Sequence, residues 1–330
     1  MKVLSVEEYG SFIGARRGLV VVRKGREKIA EISPANLDYV LLSTRGVSVS
    51  LDFIELMVRN AVPVFLARHG KPIAVVLPFN QRLHVKAVKS QVAAQRSHTG
   101  AEIAAQLVYA KLKNQAALLR RNSRNSADPP ALLDAASQIA EAAAQALNID
   151  ADTADKARPH LMAIEASAAK AYWQAYATLI HPQWGFKTRV KRGACDPVNM
   201  SLNYLYALLA SHTWVSLLRA GLDPWIGFLH SDSQRRPALV YDLMEPFRQP
   251  AVDHLAARLH RRPPEWQPEE PCSLPKQHRA ILQAEFWRRL DAEVRTGNRR
   301  LQLRDAVLYH ARSLARSLVQ GTPYKPFLWR

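Results

Sequence analysis

The strongest constraint on the fold is a change of hydrophobic period near residue 81. Before it, apolar residues come in short runs broken by turn residues. Leu19–Val22 and Lys28–Ile32 flank Arg23-Lys24-Gly25-Arg26-Glu27 as a hairpin, and Val40–Leu42, Val47–Val49, Val62–Leu66 and Ile73–Leu77 follow. Runs this short suit half-buried strands. One helix interrupts them, Ser50–Asn60, with Ile54, Met57 and Val58 facing inward; His69-Gly70-Lys71-Pro72 reads as a turn and Pro78 as a stop. These strands cannot all close a barrel alone, so an exposed edge or face is expected to support a homodimer.

Beyond Gln81 the chain turns to alanine, leucine, lysine and arginine at helical spacing. Helices are expected at Gln91–Arg96, Glu102–Arg121, Pro130–Leu147, His160–Ile180 and Pro197–Ala220, with loops at Asn122–Pro130 and Asn148–Arg158. The fold class is therefore α+β: a small β-strand domain over 1–80, a linker over 81–95, and a larger all-α domain over 96–330.

The net charge of +18 is uneven, +5 over residues 1–85 and +13 over 86–330. A charge of this size attracts polyanions, and nucleic acid leads because the basic residues are not gathered on one amphipathic helix. Without a signal segment or a long apolar run, a soluble, cytoplasmic chain is expected, with no membrane partner. Cys195 and Cys272 have neither a zinc spacing nor a disulfide framework, so reduced thiols fit best. No nucleophile elbow and no phosphate-binding loop occurs, which leaves serine-hydrolase, ATP and dinucleotide chemistry unsupported.

Four residues stand out as candidate metal ligands. Glu165 has Leu161, Met162, Ala168 and Ala169 three and four residues away, so a helix sets its carboxylate in an apolar stripe. A buried carboxylate must be neutralised, paired with a cation or bound to a metal. His230 ends the apolar run Trp225–Leu229, where an imidazole is either a hydrogen-bonded structural residue or a ligand. Asp242 and Glu245 mark a helix start; their spacing resembles a capping box, although Pro246 suits a first helical position and would put Glu245 at the cap. If residues 226–242 formed a regular hairpin, Asp242 would lie roughly 13 Å from His230 at ~3.3 Å per residue. A shared site therefore requires the intervening loop to fold back and bring Glu245 beside His230.

Basic and aromatic residues interleave at Trp184–Arg192, where Lys187, Arg189, Lys191 and Arg192 are candidate phosphate contacts. Arg235, Arg236 and Arg248 either orient phosphates or pair with the carboxylates. Together these features read as a divalent-metal nuclease or strand-transfer enzyme. The alternative is a non-catalytic basic DNA-binding scaffold whose acidic residues cap helices and pair arginines.

Several segments carry a resemblance: the strand-rich opening, LKNQAALLRR (112–121), IEASAAKAYW (164–173), DPVNMSLNYLYALL (196–209), IGFLH (226–230), YDLMEPFR (241–248) and a closing Tyr324-Lys325-Pro326-Phe327. In these and in their order the chain resembles the CRISPR-associated spacer-integrating nuclease family. The resemblance implies an N-terminal β domain that mediates homodimerisation and a helical domain with a Mg²⁺ or Mn²⁺ site. It assigns the ligand positions to Glu165, His230 and Glu245, with Asp242 as a supporting acid. It further implies a small ferredoxin-like partner protein and insertion of captured double-stranded fragments, through their 3′ ends, into CRISPR repeat DNA. One departure is Gly193-Ala194-Cys195, where the family often has a proline pair.

Overall fold

The computed structural model describes residues 3–68, 71–77, 84–124, 126, 128–234, 236–264 and 272–329. It divides into two compact units, Met1–Arg82 and Leu83–Arg330. The expected turn at His69-Gly70 and the stop at Pro78 lie outside the described residues.

The first unit carries β1 (Val3–Val6), β2 (Ser11–Arg16), β3 (Leu19–Lys24), β4 (Glu27–Ile32), β5 (Tyr39–Leu42), β6 (Ser48–Val49), α1 (Leu51–Arg59), β7 (Val64–Arg68) and β8 (Lys71–Val76). One four-stranded sheet runs β1-β5-β7-β8, parallel except for the β7–β8 pair; the other runs β4-β3-β2-β6. Val20, Val22, Ile13, Val40 and Val64 meet Phe53 and Met57 of α1 in one apolar core. Ser50 caps α1 by accepting from Phe53 N at 3.1 Å. Met57 is buried and Ile54 packs against the core as expected, with Val58 half-buried, and the sequence reading lacked Phe53, the other fully buried residue of this face. Gly25, with φ +59°, allows a tighter β3–β4 hairpin than the sequence suggests.

The second unit holds α2 (Val85–Gln95), α3 (His98–Ser123), α4 (Pro129–Leu147), α5 (Ala154–Ala177), α6 (Pro197–Ala220), α7 (Ala238–Met244), α8 (His254–Leu259), α9 (Lys276–Leu290), β9 (Glu293–Thr296), β10 (Arg299–Gln302) and α10 (Leu303–Gln320). It is mostly helical, but β9 and β10 pair as an antiparallel hairpin that an all-α reading does not contain. Most of the segment 81–95, read as a linker, is α2, which packs on α3 and α10. Helix α5 begins at Ala154 because Thr153 caps it, accepting from Lys156 N at 3.3 Å, so the expected loop over Asn148–Arg158 is shorter. The thiols are a clear correction: Cys195 and Cys272 form a disulfide, with Cα atoms 4.0 Å apart. The loop before α6 and the loop before α9 meet, which a separation of 77 residues does not reveal. No helix among the described residues is long and apolar enough to cross a membrane.

Two features of this unit position the site. Between Met244 and His254 the chain passes through a 3₁₀ turn, Glu245–Phe247, and a widened π turn, Gln249–Asp253, which re-aim successive side chains at the end of α7. The C-terminal segment then closes over them. Phe327 stacks on Phe247 with centroids 4.8 Å apart, and Asn114 of α3 donates to Pro246 O (2.6 Å) and Phe327 O (3.1 Å) and accepts from Trp329 N (2.8 Å).

Candidate active site

Helix α3 supplies the centre of the site. Lys111 Nζ lies 2.6 Å from Glu165 Oε1 of α5 and 2.9 Å from Glu245 Oε2 after α7, so two carboxylates distant in sequence converge on one cation. Arg248, one turn beyond Glu245, approaches Glu245 Oε1 at 3.0 Å. Glu245 is buried. Burial pushes its carboxyl up, but Arg248 first and then Lys111 and His230 outweigh that and hold it at about 2. Burial likewise pushes the Lys111 ammonium down, and Glu245 and Glu165 more than reverse it, leaving its pKa raised. The cluster is thus balanced, two anions against two cations, as burial demands.

Asp242 is fully buried and does different work. Its Oδ2 accepts from Phe228 N (2.6 Å) and Leu229 N (3.0 Å), and its Oδ1 from His230 N (2.8 Å). The same Oδ1 lies 2.7 Å from His230 Nδ1. That bond selects the tautomer with the proton on Nδ1 and leaves Nε2 with its lone pair, the arrangement in which a carboxylate prepares an imidazole for a metal. Gly227 is required here, because a Cβ would meet Ala238 Cβ at 2.6 Å and Asp242 Oδ2 at 3.0 Å. Gln95 and Arg158 hold the loop from outside, donating to Gly227 O and Leu229 O, each at 2.8 Å.

Both sequence-based alternatives for the acidic pair therefore need revision. The N-terminus of α7 is Pro237, without a side-chain cap, so neither Asp242 nor Glu245 caps a helix. Because Ala238–Met244 is helical, the extended-hairpin geometry does not arise, and Asp242 directly contacts His230.

The donor set of two carboxylates and an imidazole suits a hard divalent ion. Glu245 Oε2, buried and met by Lys111 Nζ at 2.9 Å, is an oxygen that already accepts a cation. Glu165 and Glu245 already share one cation. Among the described residues, no three His, Cys, Asp or Glu side chains cluster as closely as metal ligands do.

The basic loop divides in two. Trp184 and Phe186 are buried, Trp184 against His260 and Phe186 against Tyr176 and Trp173, so the aromatics anchor the loop and offer no stacking surface. Arg189 is also inward: it donates to Asn199 Oδ1 at 2.9 Å and to Asn203 Oδ1, and lies 5.4 Å over the Tyr206 ring. Lys187, Lys191 and Arg192 are exposed. Desolvation, then Arg248 and, against the pull of Glu245, Lys111 and Arg189 push the Lys191 pKa down, which puts that lysine within electrostatic reach of the centre. Arg236 is exposed, its N–H donating to Ser233 O at 3.3 Å, and Arg235 lies outside the described residues.

Sequence reasoning missed Lys111, Asn114, Tyr206 and Asp253. Lys111 and Asn114 had a usable signal, since they sit at i and i+3 among Leu107, Ala110 and Leu118, a polar pair on a largely apolar helix like that of Glu165 on α5. Asp253 accepts from the hydroxyls of Tyr206 and Tyr172, the latter at 2.7 Å, while its backbone oxygen accepts from Tyr176 at 2.8 Å.

A family model described as CRISPR associated protein Cas1 matches residues 4–285. The chain belongs to the Cas1 family. It is 30% identical over 341 residues to a CRISPR-associated endonuclease Cas1 of Archaeoglobus fulgidus, covering 98% of this chain and 99% of that one. A second Cas1 endonuclease, from Pyrobaculum aerophilum, is 36% identical over 256 residues, 77% of this chain and 81% of its own length. Among solved structures, a casposase bound to integration product superposes with a TM-score of 0.81 at 21% identity, covering 100% of this chain and 95% of that chain. A chain of a Cas6-RT-Cas1–Cas2 complex gives 0.78 at 20% identity, over 99% of this chain and 36% of that chain. The structural likenesses establish a Cas1-type fold.

Proposed function

We propose that this Cas1-family chain is a metal-dependent DNA endonuclease and strand-transfer enzyme of CRISPR adaptation, inserting captured fragments into an array by attack of a fragment 3′-hydroxyl on a repeat phosphodiester. The observation that carries this reading is the convergence of Glu165 and Glu245 on one cation position, within electrostatic reach of an imidazole whose Nδ1 is held by Asp242. Glu165, Glu245 and His230 would hold Mg²⁺ or Mn²⁺. Such an ion, when bound, polarises the scissile phosphate and offsets charge developing on it. Glu165 and Glu245 would give up their contacts with the Lys111 ammonium to hold the ion.

The chain's own groups supply the rest. Asp242 fixes the His230 ring and its tautomer. Arg248 and Lys111 keep Glu245 ionised, Lys111 also pairs with Glu165, and Lys191 draws a phosphate toward them. One P–O bond forms at the fragment's 3′ oxygen as another breaks in the repeat, and the proton of the attacking hydroxyl passes to the released strand end. With water as nucleophile the same site cleaves DNA. Homodimerisation through the first unit is supported by Phe12, Ile29, Val49, Leu51 and Ile73, all exposed there. A small ferredoxin-like partner is supported by the likeness to a chain of a Cas1–Cas2 assembly.

The test is integration into a supercoiled plasmid carrying an array, with divalent metal or chelator. Glu165→Ala is expected to abolish strand transfer and leave DNA binding largely intact. Calorimetry should detect Mn²⁺ binding that His230→Ala weakens. Equal loss of binding and transfer in a folded Glu165→Ala protein, or Mn²⁺ binding indifferent to His230, would favour the non-catalytic scaffold instead.

A further inference from the structure

A second basic feature lies along α3 from Lys111. Ten residues on, at about 1.5 Å per residue, the end of that helix enters a cleft of about 800 Å³ lined by Arg120, Arg121, Arg124, Arg289, Arg295 and Arg300. Among the described residues Glu293 is the single carboxylate in the lining, and it pairs with Arg300 at 3.4 Å.

Two observations mark a concentration of like charge here. Arg295 and Arg300 are register partners on the β9–β10 hairpin, and like charges directly opposite each other destabilise an antiparallel pair. Arg289, half-buried, is pushed down to about 10 by burial and by Arg121 and Arg258. Helix-dipole compensation at the end of α3 accounts for Arg120 and Arg121 in its last turn, and cation–π contact with Trp329 accounts for Arg121 and Arg289, at 4.5 and 5.6 Å. Neither accounts for Arg295 facing Arg300. His254 adds a buried Nδ1 with no hydrogen-bond partner among the described residues; burial and the surrounding arginines hold its imidazole at about 4, hence neutral and able to donate.

We infer that this cleft is an anion site for closely spaced phosphates, the chemistry of a nucleic-acid strand or of a free polyphosphate. Phosphates seated between Arg295 and Arg300 relieve the cross-strand repulsion, and the forked guanidinium groups of Arg120 and Arg124 match phosphate geometry. The cleft wall is also tied to the candidate active site: Trp329 N donates to Asn114, and Asn114 donates to Pro246 O, next to Glu245.

Because the inference needs no catalysis, it is tested at equilibrium with the full chain in chelator, titrated with a single-stranded oligonucleotide and separately with inorganic triphosphate. Arg295→Ala/Arg300→Ala removes two exposed cations and is expected to leave the fold as stable or more so. If a strand fills the cleft, the double variant binds the oligonucleotide at least tenfold more weakly, with the salt slope reduced by roughly 1.4, about 0.7 per lost phosphate contact. If free polyphosphate fills it, triphosphate affinity falls by a similar factor while oligonucleotide affinity holds. Unchanged affinity for both, in the double variant and in Arg124→Ala, overturns the site. Either result leaves the reading of Glu165, His230 and Glu245 untouched.

Discussion

Glu245 and Asp253 are both buried, eight residues apart on one short stretch, yet their pKa values move in opposite directions. Burial pushes both upward. Around Glu245 two cations overcome it, and the carboxyl falls to about 2. Around Asp253 the nearest partners are the hydroxyls of Tyr206 and Tyr172, and the pKa stays raised. Hydroxyls satisfy lone pairs without neutralising charge. The difference separates a carboxylate poised to exchange one cation for another from one that fixes the helices packed around it.

The largest effects should come from the cation-held centre. Glu245→Gln leaves Arg248 and half of Lys111's counter-charge unmatched, and breaking a buried ion cluster from one side costs about 3–5 kcal/mol. Chemical denaturation in chelator measures this. Lys111→Met leaves two carboxylates facing each other, a similar loss, but here added Mn²⁺ should restore stability with a larger midpoint shift than in the parent chain, by binding linkage. A Lys111→Met protein that Mn²⁺ does not rescue breaks the idea that the ammonium and the ion share one position.

Asp253→Asn should cost less, about 1–3 kcal/mol, because one tyrosine hydroxyl loses its acceptor while an ionised buried group disappears. A cost above that of Glu245→Gln would reverse the comparison. Acid titration in chelator sharpens it further. Glu245 has a depressed pKa, so its stabilisation is complete above its usual value near 4.5 and is lost as the pH falls through about 2. Asp253 has a raised pKa, so its ionised form is disfavoured in the fold, and the chain gains relative stability as the pH falls through that raised value toward 3.8. Subtracting each variant's curve from the parent's should give opposite slopes.

How much was legible follows from the kind of interaction. The two-part architecture could be read because the period of apolar residues changes, and α6 spans Pro197–Ala220 as expected, its start fixed by the Asp196 side chain accepting from Asn199 N at 2.8 Å. Glu165 was visible because a charge among apolar neighbours is anomalous in a sequence, although the stripe is only partly there: Leu161 and Ala168 are buried, Met162 is exposed and the carboxylate itself is half-buried against Lys111. Asp242 was half legible: its acidity was noted, but its role depends on three backbone N–H groups that Gly227 allows to approach, which only tertiary structure discloses. The β9–β10 hairpin was missed because Arg299 and Arg300 give it almost no apolar alternation, and the disulfide because nothing local links residues 195 and 272.

The smallest effects belong to the basic loop, where adjacent cations have different jobs. Lys187 is exposed, whereas Arg189 is held by Asn199, Asn203 and the ring of Tyr206, whose hydroxyl in turn reaches Asp253. Lys187→Ala should therefore leave stability within about 0.5 kcal/mol and lower the salt slope of duplex binding by about 0.9, the loss of one phosphate contact. Arg189→Ala should do the reverse, costing stability through its asparagine partners while the slope stays near the parent's. Denaturation midpoints and binding isotherms at several salt concentrations separate them. If both variants lower the slope equally with no loss of stability, Arg189 faces DNA and the loop is not anchored in the way its hydrogen bonds require.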